Sequence, residues 1–74
     1  MNKGAARYSK NDFKGAVGDF SSAIAIEAKL TGAYFYRALS FQNMGSMQEA
    51  CNDFKIAASM GDPNAAALMK QICK

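Results

Sequence analysis

Apolar residues return along this chain at intervals of three and four, the period of a helix, in five blocks separated by short polar or glycine-bearing breaks. The first block, about Asn2 to Lys10, carries Ala5, Ala6 and Tyr8 beside basic residues. Asn11-Asp12 interrupts it, where asparagine suits a left-handed C-terminal residue and aspartate an N-cap. The second block, about Phe13 to Ala28, sets Phe13, Ala16, Val17, Phe20, Ala23, Ile24 and Ile26 mostly at i, i+3, i+4, i+7. Gly15 and Gly18 lie inside it and each costs ~1 kcal/mol relative to alanine, so this helix must lean on tertiary packing. A glycine there also admits close approach of another helix. Leu30-Thr31-Gly32 is the next break, with Thr31 as the expected N-cap.

The third block, about Gly32 to Met44, is apolar on more than one face (Tyr34, Phe35, Tyr36, Ala38, Leu39, Phe41), as expected of a helix buried between neighbours. Gly45 ends it. Ser46-x-x-Glu49 reads as a capping box opening a fourth helix, which carries Met47, Ala50, Cys51, Phe54, Ala57 and Ala58 and stops at Gly61. Asp62-Pro63 then pairs an N-cap with proline in the first turn of a fifth helix, about Pro63 to Cys73. No segment reads as a strand. Connections this short leave consecutive helices antiparallel.

The blocks repeat. Ala16-x-x-Asp19-Phe20-x-x-Ala23 returns 34 positions later as Ala50-x-x-Asp53-Phe54-x-x-Ala57. At the same offset Lys3 matches Arg37, Gly4 matches Ala38, Phe13 matches Met47, Val17 matches Cys51 and Ile26 matches Met60. The fifth helix keeps the register, with Ala33, Tyr34 and Ala38 returning as Ala67, Leu68 and Ile72. A fixed period of this size marks stacked structural repeats. The expected fold is all-α: a single domain over residues 1–74 with antiparallel helix hairpins at about 1–30 and 31–62, and a capping helix at about 63–73. The last helix then covers the apolar face that the second hairpin would otherwise expose.

These residues resemble the tetratricopeptide repeat family. The inter-helix turns Asn11-Asp12-Phe13 and Gly45-Ser46-Met47 correspond to that family's Gly-Asp/Asn-aromatic turn. The spacing Ala16, Phe20, Ala23 and its copy Ala50, Phe54, Ala57 follows its small and aromatic positions, as do Gly4 and Ala38 early in each first helix. The slot where the family often has proline holds Ala28 and Asp62, with Pro63 one place later. Sel1-like repeats, with a somewhat different period, are the related alternative. The resemblance implies an α-solenoid fragment that binds a peptide or helix in a concave groove lined by the first helix of each unit. The matching positions are Met1, Ala5, Tyr8 and Ser9 in the first unit and Phe35, Leu39, Gln42 and Asn43 in the second. The last four share one helix face, offering an apolar anchor and two amides able to bond a peptide backbone. Packing on a neighbouring helix is the other reading of Phe35 and Leu39, and both stay open. The carboxylate clamp of one subgroup is not matched, because Met1 and Ala5 are neither cationic nor amide and Tyr36 stands where an amide is needed.

Charge and composition narrow the chemistry. Half of the 74 residues are apolar and a fifth charged, an ordinary globular balance close to the smallest size that sustains a core. The net charge is +3. Lys3, Arg7 and Lys10 would form a short basic stripe beside Tyr8, which gives weak RNA or acidic-surface binding as one alternative function. Three cations are few for a nucleic-acid footprint, so nucleic acid is not the expected partner. Self-association into a homodimer is the other alternative, since two repeats are fewer than the three usually needed. There is no histidine, so the commonest general base and metal ligand are missing. Asp19 and Asp53 are repeat equivalents expected at the surface rather than as a catalytic pair. No enzyme, cofactor or metal site is expected. No apolar run approaches a membrane span and no signal peptide is read, so the expected location is cytoplasmic. Cys51 and Cys73 are then free thiols by default. They stand at equal distances from the Asp62 turn, however, so a bridge, which needs Cα atoms within ~7 Å, stays open.

Overall fold

The computed structural model describes residues 2–27 and 29–73. The side chains of residues 2–5 lie outside that description, so the expectations for Met1, Lys3, Gly4, Ala5 and Ala28 are not addressed by it. Five helices follow in order: α1 (Asn2–Ser9), α2 (Phe13–Ile26), α3 (Thr31–Asn43), α4 (Met47–Ser59) and α5 (Pro63–Ile72). Among the described residues there is no strand. Each helix packs chiefly against its neighbours in sequence. Arg37 meets Asp53 across α3 and α4, and Cys51 meets Cys73 across α4 and α5. Both pairs are equidistant from the intervening turn, the mark of antiparallel partners.

Three of the four connections are the same turn. Asn11, Gly45 and Gly61 take the left-handed conformation, with φ of 63°, 81° and 101°. The residue after each donates its backbone N–H back into the preceding helix, Asp12 to Arg7 O (2.8 Å), Ser46 to Phe41 O (2.8 Å) and Asp62 to Ala57 O (3.1 Å). That closure satisfies orphan carbonyls at the helix end. The same residue is the N-cap of the next helix, so each chain reversal is compressed into three residues. Asp12 accepts from Gly15 N, and Asp62 accepts from Asn64 N and Ala65 N.

Two caps differ from expectation. Ser46 is the N-cap of α4 but makes no side-chain cap bond. A capping box needs Glu49 to reach back to the Ser46 N–H, and that N–H is already engaged by Phe41 O. Thr31 is the first residue of α3 rather than its cap; Leu30 holds the cap position without a side-chain bond. Leu30 packs against the buried Ala16, Phe20 and Ala33, and this burial sets where the helix starts.

The core has two parts. Ala16, Phe20 and Ala33 form one, flanked by Tyr8, Ile24 and Leu30. Ala38, Ala50, Phe54, Ala57 and Ala65 form the other, flanked by Phe35, Leu39, Leu68, Met69 and Ile72 among others. Of the alanines and phenylalanines of the repeated motif only Ala23 is not fully buried. Alanine at these positions lets helices approach to the short end of the ~8–10 Å range, and the phenylalanines fill the space beside each crossing.

Of the two α2 glycines, Gly15 lies against a side chain of another helix, Arg7 of α1, and Gly18 does not. A methyl at Gly15 would meet the ends of Asp12 and Arg7, at 2.5 and 2.6 Å, while one at Gly18 meets nothing within 4 Å. Gly18→Ala is therefore expected to stabilise the chain by about 0.5–1 kcal/mol through helix propensity alone. A raised urea midpoint is the expected reading, and a lowered one would show that Gly18 has a packing role.

Candidate functional site

Helix α3 touches both halves of the core, and its side chains carry the links between them. On one face an aromatic series runs across the molecule. Tyr36 stacks on Phe20 at 6.0 Å between centroids and meets Tyr8 edge-on at 6.0 Å. Phe35 meets Tyr36 at 5.6 Å and Phe54 at 5.7 Å. Tyr8 also packs edge-on against Phe13 at 5.4 Å. These separations and tilts are those favoured by the ring quadrupoles. Tyr36 keeps 39% of its surface exposed although rings from α1, α2 and α3 hold it. An aromatic ring that is exposed and immobilised at once has little rotamer entropy left to lose on binding.

The eight positions suggested for a groove fare differently. Met1 and the side chain of Ala5 are outside the described residues. Tyr8 is half-buried against Tyr36, and Ser9 is exposed. Phe35 and Leu39 are half-buried, packed against the α4–α5 core. Gln42 is half-buried; Asn43 is exposed and its Nδ2 donates to Leu39 O at 2.8 Å. Helical spacing puts Phe35, Leu39, Gln42, Asn43 and Tyr36 on one continuous face of α3. Tyr8 joins it from α1 through Tyr36. From the sequence Tyr36 is one of the apolar residues of the third block and stands where a carboxylate clamp needs an amide; it is not among the groove positions. The signal that could have found it is its place in the Tyr34-Phe35-Tyr36 run, too aromatic for one helix face to bury. Other exposed large apolar residues, Ile26, Met44, Met47 and Ile56, lie at the end of α2, beside the α3–α4 turn and on α4.

A second linkage is polar. The Arg37 guanidinium grips Asp53 in a fork, Nε donating to Oδ2 and Nη2 to Oδ1, both at 2.7 Å. Its Nη1 donates to Ser21 Oγ at 3.2 Å, and the group lies 5.4 Å from the centre of the Tyr34 ring. One side chain on α3 thus ties α4 to α2. Asp53 is only 4% exposed, so the expectation that it is a surface residue is overturned. A carboxylate can be buried there because both of its oxygens receive charge-assisted bonds. The Asp53 hydrogen bond raises the Arg37 pKa above the ordinary arginine value; burial opposes this, and the negative charge of Asp53 adds to it. The arrangement is structural and holds its cation at every physiological pH.

The first hairpin has a looser counterpart. Arg7 approaches Asp12 at 3.4 Å and Asp19 at 2.9 Å. The Asp19 contact lacks the alignment of a hydrogen bond, leaving its Oδ2 without a hydrogen-bond partner among the described residues. Arg7, the central cation of the supposed basic stripe, is thereby turned onto acidic neighbours.

Cys51 and Cys73 are joined as a disulfide, with Cα atoms 5.5 Å apart, which overturns the default of free thiols. The antiparallel placement of α4 and α5 about Asp62 brings them within bonding range. No helix among the described residues is long and apolar enough to cross a membrane. Comparison with family models, with curated proteins and with solved structures finds no match.

Proposed function

We propose that the chain is a tetratricopeptide-like, non-catalytic interaction module that takes a peptide or a single helix on the α1–α3 face. The observation that carries this reading is Tyr36, exposed yet held by Tyr8, Phe20 and Phe35. A rigid aromatic anchor of this type is where binding energy concentrates in protein interfaces. Around it, Phe35 and Leu39 add apolar surface, and Ser9, Gln42 and Asn43 add polar groups suited to a peptide backbone. The reading places the module in the cytoplasm, where the state of Cys51 and Cys73 would follow the local redox poise.

The test is selection of peptides from a displayed random library on the intact chain, followed by affinity measurement with variants. Tyr36→Ala is expected to weaken the selected peptide roughly tenfold or more, and Gln42→Ala to weaken it by less, both assayed where circular dichroism shows the variant folded. Full affinity in the folded Tyr36→Ala chain, or a library that yields no binder, would remove the proposal.

A further inference from the structure

Helix α5 is the least anchored of the helices whose packing is described. Ala65 is its only fully buried residue; Leu68, Met69 and Ile72 are half-buried against the α3–α4 core. Among the described residues no side-chain hydrogen bond or ion pair joins α5 to another helix. Its two ends are held differently. The start is fixed by the Gly61 turn and the Asp62 cap. The finish is fixed by Cys73, which caps the helix, donating its N–H to Met69 O at 2.8 Å, and is bonded through sulfur to Cys51 on α4. Both cysteines are half-buried rather than enclosed. Lys55 follows Cys51 by one turn and Lys70 precedes Cys73 by one turn, and neither makes an ion pair among the described residues. Cationic neighbours stabilise thiolates and so favour their departure in exchange.

We propose that the Cys51–Cys73 bond is a reversible latch on α5, opened by a dithiol reductant. One thiolate of the reductant attacks one sulfur of the bridge and the other cysteine leaves as a thiolate, which takes up a proton. The second thiol of the reductant then displaces the remaining cysteine and closes its own disulfide. Two electrons and two protons pass to the protein, which ends with two thiols. The free end of α5 then separates from α4 about the Asp62 turn. Leu68, Met69 and Ile72 withdraw, uncovering the side of the buried cluster around Phe54 that α5 covers. The latch does not depend on what binds the α1–α3 face.

Amide hydrogen exchange of the full chain, oxidised and then reduced with excess dithiothreitol, tests this. Reduction is expected to speed exchange in α5 roughly tenfold or more while α1 to α3 change by less than about twofold, and reoxidation restores the slow rates. The Cys51→Ser/Cys73→Ser chain without reductant is expected to match the reduced protein. Unchanged α5 exchange, equal acceleration of every helix, a double variant as slow as the oxidised chain, or a thiol assay finding both cysteines free in the air-oxidised protein would each overturn the proposal.

Discussion

Replacing Arg37 with alanine is expected to destabilise the chain by about 3–5 kcal/mol, because it strands a buried carboxylate without its counter-charge. Asp53 is 4% exposed and receives two bonds of 2.7 Å from that one side chain. The loss also frees Ser21 from its 3.2 Å bond and removes the cation from beside Tyr34. A domain of this length has about 4–11 kcal/mol of stability in total, so the variant should lose a large fraction of its margin. The double change Arg37→Met/Asp53→Leu should recover much of the loss, since a buried pair is often replaceable by apolar side chains of similar volume. Urea unfolding followed by circular dichroism measures both. A loss under about 1 kcal/mol for Arg37→Ala, the size of an exposed pair, would show that the pair is solvated in solution. The pKa direction sets the pH behaviour. A raised arginine value means that this stabilisation is complete below the ordinary value and fades only as pH rises through the raised one, in strong alkali. The arginine therefore adds no pH dependence in the neutral range.

Phe54→Ala should cost about 3–5 kcal/mol by a different route, the removal of a fully buried ring at the centre of the larger core part. The fully buried residues around Phe54 are Ala38, Ala50, Ala57 and Ala65, too small to refill the space it would leave. It also ends the aromatic series, so Phe35 loses its partner at 5.7 Å. Phe54→Leu keeps most of the volume and should cost clearly less. Equal losses for the two variants in urea unfolding would mean that the ring's volume is not what counts at this site.

The fold was legible where the sequence speaks locally. The left-handed Asn11 and Gly45, the Asp12 and Asp62 caps, and the buried Ala16, Phe20, Ala50, Phe54 and Ala57 all follow from residue type and spacing. What escaped depended on partners distant in sequence. Asp53 looks like a solvated position because its neighbour in sequence, Phe54, points into the core; its partner lies 16 residues away on another helix. The available hint was that Lys3 and Arg37 recur at the same spacing as Asp19 and Asp53, a basic position travelling with an acidic one. Ser46 and Glu49 show the converse. The motif was present, but the turn had already taken the N–H that the motif needs. The shared α3 face of Phe35, Leu39, Gln42 and Asn43 was legible from helical spacing, but the exposure of Tyr36 was not, because it is set by three rings from α1, α2 and α3.

The proposed docking of a peptide or helix on the α1–α3 face around Tyr36 is open to a direct test. The most direct measurement is an amide chemical-shift titration of the labelled chain with a library-selected peptide. The largest shifts are expected at Tyr8, Ser9, Phe35, Tyr36, Leu39, Gln42 and Asn43. Shifts concentrated instead on the outer positions of α2 and α4, such as Lys14, Gly18, Lys55 and Ile56, would contradict it.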